Sequence, residues 1–148
     1  MAVPLPRPLL DLGQTVARLL PAPLSPPLRA ARQEVHRRLH LAFRLATTHR
    51  RAVSVAPVPE AGRDRLALRL PEGVDWGRPA SVPMPPDLLD SGWDSAPPRP
   101  LTILPDRRAA ANVWFLHHGG EALCLRLGLV GEVEFLRFRP RLGAWTRA

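Results

Sequence analysis

Arginine supplies every strongly basic side chain of this chain: all 21 basic residues are Arg and none is Lys. A guanidinium group binds phosphate through two parallel hydrogen bonds and stacks on bases, whereas the ammonium group of Lys does neither. One set of arginines lies on a predicted helix at residues 27–48, and another lies among the aromatic residues of the C-terminal segment. Arginine beside aromatic side chains on a sheet is typical of surfaces that bind single-stranded nucleic acid. The predicted phosphate-contacting residues are Arg37, Arg38, Arg44, Arg137 and Arg139, with Trp145 as a stacking platform.

The abundance of arginine also has an explanation that involves no function. The chain has no Tyr and no Lys but contains 19 Pro. This is the composition expected of a gene with GC-rich codons, because the codons of Arg, Ala, Pro and Gly are GC-rich. A solvated basic surface supplied by codon bias is therefore the alternative to a phosphate-binding surface.

The histidines offer a second kind of chemistry. His36 and His40 stand four residues apart, which places both imidazoles on one face of a helix, as in zinc-binding helices. The residue after His36 is Arg37 instead of the Glu of a zinc protease, and the surrounding positive charge disfavours a cation. Cys124 lies in an apolar strand pattern, where a thiol usually behaves as a small buried hydrophobe. We therefore predict no catalytic residues, no metal and no cofactor; the enzyme alternative is a metal-dependent hydrolase using His36, His40, His117 or His118.

Several classes of protein are excluded by what the sequence lacks. One cysteine rules out a disulfide scaffold and a four-cysteine zinc site. The chain has no glycine-rich phosphate loop and no Gly-x-Ser-x-Gly motif, and the spacing of its middle aspartates fits no calcium loop. No stretch reaches the roughly 18 apolar residues of a membrane helix. We therefore predict no integral membrane association. The N-terminus has few Ser and too many Pro for a transit peptide, so we predict a cytoplasmic protein.

Charge is distributed unevenly along the 148 residues. Residues 1–70 carry a net charge of +8, residues 71–106 a net charge of −4 and residues 107–148 a net charge of +4. The acidic middle segment also holds 9 of the 19 prolines. The total of +8 and the pI of about 11.6 suit nucleic acid or an acidic protein as partner. The middle segment is interpreted as a lid, a partner-binding strap that could cover the basic surface, or disorder.

Hydrophobic periodicity predicts a helical hairpin at residues 1–50. Leu9, Leu12, Val16 and Leu19 form the apolar face of a first helix. A proline-rich connector follows, and Ser25 is predicted to cap a second helix at residues 27–48. The apolar stripe of that second helix consists of Leu28, Ala31, Val35, Leu39, Ala42 and Ala46.

Strand patterns dominate the remainder of the chain. Residues 52–58 and 65–70 predict a β-hairpin with a loop at residues 60–64, and residues 101–104 predict a short strand. Residues 107–116 as a helix and 113–117 as a strand are alternatives that the pattern leaves open. Residues 121–130 and 132–139 predict two strands joined by a turn at Gly131, with a last strand at residues 141–146.

These patterns predict one α+β domain, in which the helical hairpin packs on a small, mostly antiparallel β-sheet with a long Pro-rich insertion. The predicted function is that of a non-enzymatic accessory protein that binds DNA or RNA through phosphate contacts with little sequence specificity. The alternative is a structural or protein–protein interaction module that self-associates or recognises an acidic protein. Its docking residues would be Trp76 and Trp93 of the middle segment. The predicted parts are residues 1–50, 51–70, 71–106 and 107–148. The predicted core residues are Leu9, Leu12, Val16, Leu19, Leu28, Val35, Leu39, Ala42, Leu66, Leu68, Leu123, Leu125 and Leu127.

Overall fold

The computed structural model describes residues 23–57, 65–88 and 98–148, which form one helix and two β-sheets. This arrangement confirms the α+β class. The first predicted helix at residues 9–19 lies outside the described residues. Helix α1 spans Pro26–His49, a short 3-10 helix spans Pro86–Leu88, and the strands are β1 Val53–Ala56, β2 Arg65–Ala67, β3 Asp75–Trp76, β4 Leu101–Ile103, β5 Asn112–His118, β6 Glu121–Leu127, β7 Val133–Arg139 and β8 Ala144–Arg147.

Helix α1 begins and ends for local reasons. Pro26 and Pro27 occupy its first turn, where their missing N–H groups cost nothing. It ends at His49, because the C-cap residue Arg50 has a left-handed φ of 53°. Ser25 holds the N-cap position, but its side chain makes no capping hydrogen bond, contrary to the prediction. One reason is that Pro27, at the second helical position, lacks an N–H that could donate to the Ser25 hydroxyl. The backbone N–H of Ser25 donates to a Glu121 carboxylate oxygen at 3.3 Å.

The smaller sheet has the strand order β2-β1-β4. Strand β4 runs antiparallel to β1, whereas β2 runs parallel to it, with Val55 opposite Leu66. The predicted β-hairpin between β1 and β2 is therefore wrong. Alternation of side chains indicates which face a strand buries but not its direction. The eight residues between these strands also exceed the two-residue turn that would enforce antiparallel pairing.

The larger sheet is antiparallel and has the order β3-β5-β6-β7-β8. Strand β5 covers the segment that the sequence left open, so the strand alternative is confirmed over the helix. It pairs with β6 along its whole length, from Asn112 opposite Leu127 to His118 opposite Glu121. The predicted turn at Gly131 is confirmed by its φ of 80°. Strands β5 to β8 thus form a meander in which each strand pairs with the next.

The apolar stripe of α1 packs against both sheets. Its C-terminal half contacts residues of both sheets, including Val55 of β1 and Trp114 of β5. Its N-terminal half packs on Leu116 and Leu123 of the larger sheet. All of the predicted core residues that the structure describes are buried except Leu66, which is half-buried against the same cluster.

The opposite face of the larger sheet is covered by residues 79–88 of the Pro-rich middle segment. Val82, Met84 and Leu88 pack on apolar side chains of β5, β6 and β7. Two polar contacts hold the segment in place. The Trp145 indole N–H donates to the carbonyl of Pro83 at 2.8 Å, and the Arg126 guanidinium lies 2.6 Å from the Asp87 carboxylate. The segment therefore completes a second hydrophobic layer; residues 89–97 lie outside the described part of the chain.

Within the described residues, no helix has the length and apolar character needed to cross a membrane.

Replacing Leu123 with alanine should lower the free energy of unfolding by about 2–5 kcal/mol, because the side chain is fully buried between α1 and the sheet. Leu142→Ala is the matched control, since that leucine is 59% exposed. Urea denaturation should show a lower midpoint for the first variant and no significant change for the second. Equal midpoints in the two variants would contradict the packing of α1 on β6.

Gly131→Ala should destabilise the protein more than Gly143→Ala. Both glycines have a positive φ, of 80° and 60°, which costs an L-residue about 1–2 kcal/mol. At Gly131 an added Cβ would also collide with the Arg107 carbonyl and approach the Phe43 ring, whereas at Gly143 it meets open space. Thermal unfolding of the two variants measures the difference. A larger loss for Gly143→Ala would contradict the close approach of the β6–β7 turn to α1.

Candidate functional site

A basic groove lies between one flank of α1 and the β7–β8 side of the larger sheet. It consists of two adjoining cavities of about 350 and 270 Å³, which share Arg32 and Ala148 in their walls. The larger cavity is also lined by Gln33, His36 and Phe135. The smaller one is also lined by Pro23, Leu24, Arg29, Arg137 and Arg147.

Helical geometry explains which side chains α1 contributes to the basic groove. Successive residues are rotated by about 100° around a helix axis. Arg32 and His36 therefore fall on one flank of the stripe centred on Val35, and Glu34 and Arg38 fall on the other. Because the apolar stripe must face the sheets, the first flank is turned toward β7 and the second is turned away.

Strand alternation explains the contribution of β7. Phe135 and Arg137 are two residues apart, so both face α1. Their cross-strand partners on β6, Leu125 and Leu123, are fully buried under the helix. Phe135 is half-buried and packs against the apolar clusters beneath both halves of α1. Its ring therefore has a rigid backing of core residues.

Arg137 brings a positive charge to an unusually enclosed position. Only 9% of its surface is exposed, and it lines the smaller cavity opposite Arg29 and Arg32. An arginine side chain stays protonated in proteins. Arg29 is held at the end of the groove because its guanidinium donates to the carbonyl of Leu24 at 3.1 Å. Arginines from a helix and from a strand thus converge on one cavity.

In the described part of the chain, the side chains that line the basic groove include arginines but no Asp or Glu. A cleft of about 280 Å³ beside residues 79–88 differs, since Arg126 shares its wall with Glu132 and Glu134. Arg147 stands at the rim of the groove with a side chain that is 89% exposed, 3.8 Å from the Glu134 carboxylate. Of these two sites, the groove is therefore better suited to an anion than the cleft is.

Three of the predicted phosphate-contacting arginines do not line this groove. Arg37 and Arg38 form ion pairs with Glu34 on the other flank of α1, and Arg44 is exposed on the helix. Burial acts to raise the pKa of the Glu34 carboxyl, but hydrogen bonds and charges from Arg38 and Arg37 outweigh it and lower the pKa. Glu34 is thus ionised at neutral pH and neutralises part of the charge of these two arginines.

The predicted pair on β7 is closer to the groove. Arg137 lines it, and the half-buried Arg139 lies two residues further along the same face of the strand. Sequence reasoning did not select Arg29 and Arg32 as phosphate-contacting residues. Their position beside the stripe was readable from the helical period, but the flank that faces β7 is set by tertiary packing.

The predicted aromatic sites have structural contacts of their own. Trp145 faces the side of the sheet opposite α1, with its ring centroid 6.0 Å from that of Phe115 and 5.7 Å from that of Phe138. Trp76 packs edge-on against Trp114 at 5.1 Å and contacts the clusters under α1. Trp93 lies outside the described residues. Stacking or docking by Trp145 and Trp76 remains a prediction, but packing occupies much of both rings.

The histidines are distributed over separate surfaces. His36 and His40 lie with ring planes 9° apart and centroids 6.4 Å apart. His117 and His118 point to opposite faces of β5, and their Nδ1 atoms lie 3.0 and 2.9 Å from the carbonyl oxygens of Gly77 and Gly73. In the described part of the chain, no group of three or more His, Cys, Asp or Glu side chains could hold a metal ion.

Cys124 should be unreactive while the protein is folded. It lies under the middle segment, and burial raises the pKa of its thiol to about 12. The thiolate is the reactive form, so a thiol reagent applied near pH 9 should label the protein only after denaturant is added. Because the unfolded chain releases this proton at lower pH, the contribution of Cys124 to stability should decline as pH rises from about 9 to 12. Rapid labelling of the folded protein would contradict the cover provided by residues 79–88.

Comparison with known proteins found no match: no family model, no curated protein and no solved structure matches the chain.

Proposed function

We propose that this protein is a non-enzymatic accessory protein that binds nucleic acid through phosphate contacts with little sequence specificity. The observation that carries the proposal is the convergence of Arg29 and Arg32 from α1 with Arg137 from β7 on one cavity. The function is the one predicted from the sequence, but the proposed binding site lies nearer the N-terminal end of α1 than the predicted one. Arg37, Arg38 and Arg44 become peripheral to it.

The spacing of the three arginines suits a phosphate backbone. Arg29 and Arg32 are three residues apart, so their Cβ atoms are about 5–6 Å apart on the same helix flank. Each guanidinium can bind phosphate oxygens through a planar fork of donors. Arg137 approaches from the sheet, so a backbone in the groove would be contacted from two sides. Such contacts position a strand without reading its sequence, which supports low specificity.

The distribution of acidic groups supports the same site. Some arginines of the chain have carboxylate partners: Glu34 with Arg37 and Arg38, Asp106 with Arg108, and Asp87 with Arg126. These ion pairs lie away from the basic groove, whereas the more distant contact of Arg147 with Glu134, at 3.8 Å, lies at its rim. Codon bias would account for the number of arginines but not for a cavity whose described lining contains several of them and no Asp or Glu side chain.

The double variant Arg29→Gln/Arg32→Gln should weaken binding by about tenfold or more, because two phosphate contacts are lost. The measurement is fluorescence anisotropy of labelled DNA and RNA at several salt concentrations. The slope of log K against log salt should become less negative by about 1.4 for a single strand. Thermal unfolding of the variant checks that loss of the Arg29–Leu24 hydrogen bond leaves the fold intact.

Arg37→Gln/Arg38→Gln is the matched control, because it removes the same charge from the same helix outside the groove. It should change affinity by much less than the groove variant does. Equal losses would assign binding to net charge, and a larger loss in the control would return the site to the far flank of α1. No binding of the unaltered protein even at low salt would reject the function and favour an acidic protein partner.

A further inference from the structure

The basic groove has an aromatic part as well as a cationic part. The cavity of about 350 Å³ is lined by Phe135 and His36, while the adjoining cavity carries Arg29 and Arg137. Arg32 belongs to both. A planar apolar surface and a set of guanidinium groups therefore lie side by side, which is the pairing that a nucleotide requires for its base and its phosphate.

Given the proposed function, we infer that the groove takes a single strand of nucleic acid, with one unpaired base against Phe135 and His36. The phosphate next to that base lies among Arg29, Arg32 and Arg137. Arg32, which borders both cavities, lies at the junction between base and phosphate. The ligand class is therefore single-stranded DNA or RNA, as opposed to a duplex.

The position of Phe135 is the reason for excluding a duplex. Its ring is half-buried, is backed by the core clusters and lines the groove, so a base can contact it from within the groove. In a duplex both faces of each base are covered by neighbouring bases, and only base edges and phosphates are presented outward. A base must therefore leave the stack before it can contact this ring, and a single strand offers such bases at the lowest cost.

The aromatic contact can be tested separately from the phosphate contacts with three probes of equal length. These are a single-stranded oligonucleotide, its duplex, and a single strand with abasic sites throughout, which retains the phosphates but lacks the bases. Stacking of one base adds about tenfold in affinity. The intact single strand should therefore bind about tenfold more tightly than the abasic strand and more tightly than the duplex.

His36→Ala identifies the place of contact, because the side chain is exposed and its loss leaves the core untouched. This variant should bind the intact single strand several-fold more weakly and the abasic strand unchanged. His40→Ala, one helical turn further and outside the lining of either cavity, is the matched control and should behave as the unaltered protein. Phe135→Leu, which keeps an apolar side chain over the core, should show the same selective loss as His36→Ala.

The outcomes separate this inference from the proposed function. Equal affinity for intact and abasic strands, or tighter binding of the duplex, would overturn the single-strand inference while leaving phosphate binding in place. Equal effects of His36→Ala and His40→Ala would overturn the placement of the base. If none of the three probes binds at low salt, the proposed function fails and the inference fails with it.

Discussion

The packing of one helix stripe across two sheets is the constraint on which the rest of this structure depends. The stripe is made of small and medium side chains, among them Ala31, Ala42 and Ala46, so α1 can lie close to the strands. Its C-terminal half covers the place where both sheets contribute to one cluster. Burial of that stripe fixes the rotation of the helix about its axis. The rotation in turn decides which arginines face β7 and which face solvent.

The larger sheet is covered by apolar side chains on both faces, and two of its tryptophans take part in this packing. On the face opposite α1, residues 79–88 supply apolar side chains and bring Asp87 to Arg126. An acidic segment thus lies over a basic residue, as a covering strap would, but on the face away from the basic groove. Trp145 and Trp76 take part in these layers, and their indole rings contribute to packing on opposite faces of the same sheet.

Positive charge converges at one groove of this protein, and the net charge of the chain does not indicate where that groove lies. Arg37 and Arg38 share Glu34, while Arg29, Arg32 and Arg137 surround a cavity whose described lining has no Asp or Glu side chain. A ligand in that cavity would meet donors held by a helix and by a strand, both anchored in the core. Such anchoring reduces the entropy lost on binding, which favours a defined anion site over a diffuse basic surface.

The sequence by itself determined the elements whose signal is periodic and local. The stripe of α1, the alternation of β6 and β7 and the turn at Gly131 follow from side-chain spacing and from the freedom of glycine at positive φ. Tertiary structure decided the parallel pairing of β1 with β2 and the strand conformation of β5. It also decided the basic groove, since Arg32 and Arg137 lie 105 positions apart in the sequence and their proximity depends on how α1 packs on β7. Periodicity specifies which face of an element is buried, but only packing specifies which elements meet.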